Sequence, residues 1–522
     1  MNNREKPVSE AARSIRRLTK FRYMLILEGI AVGLLAGGVI VAFRLAIEKA
    51  TVMSGHLAYF AQNSVLMIPV YVLVMIAIAI CLTALVKAEP LISGSGIPQL
   101  EGELAGRIES VWWKVLPAKF AGGVLAIGSG MSLGREGPSI QLGAMVGKGF
   151  ASLTKGLKTE EKMLMTCGAG AGLSAAFNAP LAGVIFALEE LHKNFSEEVL
   201  LCTMSGAISA DFVCRYVFGL RPIFTVGDVQ MLPLKYYGLI ILLGAALGVM
   251  GIAFNAAIKF AQNLYDKIPT KLARILVPAV AVIPAAFFYP HILGGGSEIV
   301  DSLAAGKWVL MPLVALFILK WLFTTVCFSS GTPGGIFLPQ LVLGAVLGAL
   351  FYNVCAEFGV PQTYLCNFVV LGMAGYFAAV VRAPITGIVL ICEMSGSLSQ
   401  LLTLSLVSLA AYVVADLLKG KPVYEQLLER ILSKGGFEIK NEKKILTESP
   451  VYMGSRADGI CVKDFPLPKR CLIVSISRTG EEIVPNGQTQ LRGGDILTII
   501  SNEKDKAALE RALQRMCRRV EP

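Results

Sequence analysis

The run Leu142-Gly-Ala-Met-Val-Gly147 returns 201 positions later as Leu343-Gly-Ala-Val-Leu-Gly348. The same offset carries Gly134-x-x-x-Pro138 onto Gly335-x-x-x-Pro339. An offset of 204 carries Ala179–Val184 onto Ala383–Ile388, Gly168 onto Gly372 and Glu189 onto Glu393. Gly94 falls near Gly294-Gly-Gly-Ser297, more weakly. Apolar sequence matches itself cheaply, so the Gly, Pro and Glu matches carry the weight. A steady offset over this distance means two homologous halves. Sequence leaves open whether they run parallel or inverted.

Both halves are apolar and broken. The chain is 54% hydrophobic and 16% charged, with a mean hydropathy of +0.64. Soluble domains carry about a quarter charged residues, so a polytopic all-α membrane protein is expected. Apolar segments run near 24–46, 66–87, 115–133, 139–153, 164–188, 199–219, 234–262, 274–289, 309–327, 337–358, 364–380, 384–394 and 399–419. Several are shorter than the roughly twenty residues of a clean crossing. Gly or Pro interrupts the chain at Ser93–Pro98, Gly134–Pro138, Asn178–Pro180, Gly331–Pro339 and Arg382–Pro384. Short, interrupted segments in corresponding places mark transporters whose site lies between the repeats near the midplane.

The net charge is +11, much of it in the N-terminal arm and in short loops. That fits cytoplasmic flanks better than nucleic-acid binding. Residues 1–22 are basic and lack an apolar stretch with a cleavage site, so they read as a cytoplasmic arm and not a cleaved signal. Eleven cysteines lie singly with no CxxC pair, which argues against a metal site or a disulfide framework. With only His56, His192 and His291 present, carboxylates must do most of any proton work. No HExxH, Walker or Ser/His/Asp arrangement points to an enzyme or a bound cofactor.

The character changes after Lys419. The chain divides into the arm 1–22, a transmembrane domain 23–432 with repeats at about 23–220 and 232–420, a linker 433–444 and a small α+β domain 445–522. Pro422–Leu432 reads as a helix. In the last domain, strands are expected at Cys471–Ser477, Glu482–Val484 and Asp495–Ile500, turns at Arg478–Gly480 and Asn486–Gly487, and a terminal amphipathic helix near Glu503–Arg518.

The breaks suggest what the membrane part does. The first N–H groups of a helix are unpaired and carry partial positive charge. Three Gly-rich breaks, at Ser93–Pro98, Gly134–Pro138 and Gly334–Pro339, can aim such ends at one point. Partial charges suit an anion that must also leave, where a full buried charge would hold it. Arg135 and Glu136, set between two glycines at such a break, mark a functional site.

Four ordered motifs now carry a resemblance. Gly94-Ser-Gly-Ile-Pro98, Gly134-Arg-Glu-Gly-Pro138, Gly335-Ile-Phe-Leu-Pro339 and Tyr424 in Lys421-Pro-Val-Tyr resemble the CLC family of chloride channels and chloride/proton exchangers. The likeness covers about residues 20–432. It implies an inverted repeat of tilted helices and a homodimer with one pore per subunit. It implies a chloride site from Ser95, the amides around Ile336 and Phe337, and Tyr424, with the helix-end positions Gly94, Gly96, Pro98, Gly134, Gly137, Pro138, Gly335 and Pro339. Ser95 resembles chloride-selecting members, where nitrate-preferring ones carry proline. Glu136 stands at the family's external gate, and Glu190 at the internal proton-transfer position of exchangers, where pure channels are uncharged.

The repeat comparison speaks to the same pair. Glu189 has a partner in Glu393, but Glu190 aligns with Met394. A carboxylate present in one half alone is less suited to scaffolding. Glu189 and Glu393 read as structural, satisfying backbone N–H groups or pairing with cations. Glu101 supports the dimer or the proton path. Lys119, Arg215, Lys320 and Arg382 read as helix-end snorkels or buried partners, not substrate ligands.

The last domain departs from the paired CBS modules of eukaryotic members. It resembles the TrkA C-terminal regulatory domain, which implies dimerisation or a small cytoplasmic ligand such as a nucleotide. The expectation is an inner-membrane chloride/proton antiporter with both termini cytoplasmic; the alternatives are a passive voltage- or pH-gated chloride channel and a transporter of another anion.

Overall fold

In this computed structural model the backbone is described over residues 10–154, 157–220, 224, 230–306, 308–434, 444–468, 470–478, 481–502 and 505–517, and side chains in the first helix from Arg22. The chain forms two compact units, Met1–Ile431 and Leu432–Pro522.

In the first unit, the helices of one half repeat in order in the other. The first half contains α1 (Glu10–Asn63), α2 (Ile68–Ala88), α3 (Ile97–Leu104), α4 (Trp112–Gly128), α5 (Glu136–Thr154), α6 (Lys158–Phe177), α7 (Pro180–Phe186) and α8 (Glu197–Phe218). The second contains α9 (Tyr237–Asp266), α10 (Lys271–Phe288), α11 (Ser297–Ala304), α12 (Leu310–Ser329), α13 (Phe337–Glu357), α14 (Leu365–Val381), α15 (Pro384–Ser395) and α16 (Leu401–Leu417). Helix α17 (Val423–Lys434) follows and runs across the boundary at Ile431. Among the described residues, 8 helices are long and apolar enough to cross a membrane. The protein is therefore a multi-pass membrane protein.

Two eight-residue helices of the duplication, α3 and α11, lie where no apolar segment is expected. Their sequences, Ile-Pro-Gln-Leu-Glu-Gly-Glu-Leu and Ser-Glu-Ile-Val-Asp-Ser-Leu-Ala, are too polar to read as spans. Each starts behind a left-handed glycine, Gly96 at φ 90° and Gly296 at φ 88°. Each follows a 3-10 turn, Pro90–Ile92 or Pro290–Ile292. The weak match at Gly94 and Gly294 thus marks a real structural equivalence.

The expected apolar segment 164–188 is two helices. Asn178, left-handed at φ 51°, ends α6, and Pro180 starts α7. Arg382, at φ 73°, does the same between α14 and α15. Close glycine contacts hold the halves together internally. A Cβ on Gly168 would lie 2.1 Å from the Gly143 carbonyl, and one on Gly372 would lie 2.2 Å from that of Gly344. Membrane helices lack a hydrophobic drive toward each other, so such close backbone approach supplies the packing.

The second unit is a four-stranded antiparallel sheet in the order β1-β4-β2-β3, with β1 (Lys444–Pro450), β2 (Leu472–Arg478), β3 (Glu481–Ile483) and β4 (Ile496–Asn502). Of the linker expected at 433–444, residues 433–434 belong to α17 and Lys444 to β1; residues 435–443, the turn residues Thr479 and Gly480 and residues 1–9 of the basic arm lie outside the described residues. Helix α18 (Lys506–Cys517) packs Leu509 and Leu513 against Ile473, Leu497 and Ile499. Arg478 pairs with the buried Asp495, which also accepts the Arg492 amide at 2.8 Å. Burial alone would raise the Asp495 carboxyl, but Arg478 and that amide outweigh it and hold it below the usual range.

Candidate functional site

The three glycine-rich breaks meet through their backbones. Gly94 N–H donates to the Thr332 carbonyl at 3.2 Å, and Gly334 N–H donates to the Gly94 carbonyl at 3.0 Å. Gly134 and Gly335 exchange both bonds, at 2.7 and 2.8 Å. Motifs separated by up to 240 residues in sequence thus form one buried knot, with each half supplying part. Its tightness explains the glycines. A Cβ on Gly137 would sit 2.9 Å from the Ser95 carbonyl, so the start of α5 rests directly on the first motif.

Helix ends converge on this knot. α5 starts at Glu136, and α13 starts at Phe337 with Ile336 as its N-cap. Ser95, Ile336 and Phe337 are buried, and Ser95 Oγ accepts the Ile97 amide at 3.4 Å. Pro98 and Pro138 lie in the first turn of their helices and Pro339 two residues into its own, where the missing N–H costs no intrahelical bond.

Glu136 is 1% exposed, and neither carboxylate oxygen has a hydrogen-bond partner among the described residues. Oε2 lies over Gly134, with the Leu338 amide at the same spot. The amides of Glu136 and Leu338 face the carboxyl without full hydrogen-bond geometry, and Arg135 and Arg44 add positive charge. A carboxyl group therefore lies beside the starts of α5 and α13.

Other buried polar atoms are left open nearby. Tyr424, the second residue of α17, is fully buried with an unpartnered hydroxyl, as is Ser139 Oγ in the first turn of α5. Tyr424 lies within electrostatic range of both Glu136 and Glu190. An unpaired buried hydroxyl is costly, and an anion would satisfy it. Phe337 adds an apolar collar, its ring 5.3 Å from Phe177, 5.8 Å from Phe186 and 4.8 Å from Phe377.

Glu190 sits apart from its neighbour. The residues Ala187–His192 form a π-helical turn after α7, and Glu190 is buried within it. It lies within electrostatic range of Glu101 of α3, Lys193, Glu189 and Glu425 of α17. Glu189 turns the other way, accepting the Thr386 amide at 2.8 Å and the Thr386 hydroxyl at 2.7 Å. The two adjacent glutamates therefore have different surroundings.

The buried lysines serve the backbone. Lys119 Nζ donates to the Ile92 and Gly94 carbonyls at 2.9 and 2.6 Å. Lys320 Nζ donates to the Ile292 and Gly294 carbonyls at the same two distances. Both are 0% exposed, so neither snorkels. They fix the turns that enter α3 and α11. Arg215 donates to the Asn178 carbonyl and Arg382 to those of Tyr412 and Gly420. Sequence reasoning passed over Arg44, which is buried and binds the Ala175 carbonyl and Asn178 Oδ1. Its place inside an apolar helix was the available signal.

A duplicated set of broken membrane helices whose starts meet at one buried centre defines an ion-transport architecture. The chain belongs to the CLC family: residues 73–416 match the family described as voltage gated chloride channel, and residues 446–514 match the TrkA-C domain. It is 39% identical over 354 residues to the H(+)/Cl(-) exchange transporter ClcA of Vibrio cholerae serotype O1, covering 66% of this chain and 75% of that one. It is 38% identical over 355 residues to ClcA of Yersinia pestis bv. Antiqua, covering 66% and 74%. A crystal structure of a slow cyanobacterial Cl-/H+ antiporter superposes with a TM-score of 0.74 at 32% identity, covering 79% of this chain and 99% of that one. A CLC-type fluoride/proton antiporter shares the fold, with a TM-score of 0.66 at 23% identity over 77% and 97% of the two chains.

Proposed function

We propose that this protein exchanges chloride for protons across a bacterial inner membrane, as a homodimer with both termini in the cytoplasm. The observation that carries the reading is Glu136: a fully buried carboxylate with no hydrogen-bond partner, at the point where α5 and α13 begin. A carboxylate is itself an anion, so Glu136 competes with chloride for the same helix ends. Protonation removes its charge and its claim on the site. Anion occupancy and proton binding are then linked at one residue, each altering the affinity for the other.

Chloride passes Ser95, the amides at Ile336 and Phe337, and the Tyr424 hydroxyl. Protons reach the gate through Glu190, the carboxylate without a repeat partner. The named exchange transporters among the relatives support this over a passive channel. Under the same proposal the TrkA-C-like unit is a cytoplasmic regulatory module that takes a small ligand such as a nucleotide.

Reconstituted liposomes, with chloride and pH recorded together, test the exchange. A chloride gradient is expected to drive protons uphill in the wild type. Chloride flux that never moves protons would establish the channel reading instead.

A further inference from the structure

We propose that Lys193 is a positioning residue for proton transfer: its ammonium, paired with Glu101 at the exposed edge of the Glu190 cluster, sets the proton affinity of Glu190. The inference rests on the reading of Glu190 as the proton carrier.

The first observation is a mismatch between the repeats. Glu189 and Glu393 are equivalent, yet they stand at different distances from the left-handed residue that ends their helices. That residue is Lys193 in the first half, at φ 54°, and Gly396 in the second, at φ 69°. The first half therefore has one extra residue. It is absorbed by the π turn Ala187–His192, where α15 stays regular to Ser395. Such single-turn bulges recur at functional sites. Here the extra residue falls between Glu189 and the cap Lys193, in the turn that holds Glu190.

The second observation is the residue type at the cap. A left-handed cap favours glycine, which the second half uses. The first half holds a lysine there against its backbone preference. Strain of this kind persists where surrounding interactions require it.

The third observation is the partner. Lys193 Nζ forms an ion pair with Glu101 Oε1, with side-chain exposures of 51% and 9%. Glu101 Oε2 is buried and unpartnered. Glu190 lies within electrostatic range of Glu101, Glu189 and Glu425, and of the Lys193 ammonium. The other groups against this region are the Tyr424 hydroxyl and His192, which contacts Thr166 Oγ1 at 3.1 Å and has Lys162 nearby. Thr386 already binds Glu189, and Lys193 is the ion-pair partner of Glu101. Without the ammonium, Glu190 would face it alone and hold its proton to higher pH.

The test is an infrared titration of the full-length protein, following the carboxylic C=O band that is lost in Glu190→Gln. Lys193→Gly removes the charge while giving the cap its preferred residue, so the fold is not endangered. Its midpoint is expected to rise by about one pH unit, the low end for an opposite charge because Lys193 is half exposed. Lys193→Arg should leave the midpoint in place, and Lys193→Gly with Glu101→Gln should bring it back. A cap with a structural role alone would leave the Lys193→Gly midpoint unmoved. That result, a double variant that does not revert, or no titrating Glu190 band at all would overturn the proposal. Failure of the exchange reading would show separately, as wild-type chloride flux without proton movement.

Discussion

Glu189 and Glu393 hold each other's helices. Glu189 accepts the amides of Ile385 and Thr386 at the start of α15, and Glu393 accepts those of Leu181 and Ala182 at the start of α7. The contacts are reciprocal, as a two-fold axis between the repeats demands. Each carboxylate satisfies two unpaired helix-start donors and neutralises a dipole end. The junction ties the helix leading to Glu190 to the opposite half.

Removing one of these caps should therefore loosen both repeats. Glu393→Ala leaves two amides unpaired and is expected to destabilise the protein by about 1–3 kcal/mol. Thermal unfolding in detergent would show a lower midpoint, with chloride-to-proton coupling retained in the folded fraction. Glu189→Ala should behave alike, with a further loss because Thr386 also donates to it.

Tyr424 offers a separate test of the anion path. Its hydroxyl has no partner among the described residues, so Tyr424→Phe deletes a donor without stranding another of their groups. If chloride is that partner, its affinity should fall about tenfold, as for one hydrogen bond to a charged group. Calorimetric titration of chloride would read the loss, and stability should change little or rise.

In the second unit, Asp495 gives a pH expectation. Its folded carboxyl lies below the ordinary range, held by Arg478 and the Arg492 amide against the effect of burial. The pair then contributes fully above the unfolded value of about 3.9 and is lost as pH falls through the folded value. Hydrogen exchange in β2 and β4, corrected for intrinsic rates, should accelerate below about pH 4. Asp495→Asn should bring part of that protection loss to neutral pH, at a cost of about 1–2 kcal/mol, because the partly exposed Arg478 keeps its bond to the Gln490 carbonyl.

Much of this was legible in sequence because the duplication lies in residues whose chemistry is restrictive. Gly168 and Gly372 recur because backbones touch there, and Glu189 and Glu393 because helix starts need acceptors. The breaks at Gly134 and Gly335 read correctly as converging, since Gly and Pro state where a helix cannot continue. Helices α3 and α11 were invisible for the opposite reason: eight polar-rich residues carry no span signal. The π turn was equally hidden, because one extra residue in a local alignment shifts no motif. Lys119 and Lys320 showed that a charge in an apolar run need not reach solvent when two carbonyls await it. Strand β1 was lost in a polar stretch whose apolar residues are too few to alternate.

The most direct measurement is paired chloride and proton flux from liposomes containing Glu136→Gln. That side chain keeps the shape of the gate and carries no charge and no exchangeable carboxyl proton. Chloride is expected to cross with its pH dependence gone and proton counter-transport abolished. Counter-transport at the wild-type ratio, with an unaltered pH response, would contradict the account.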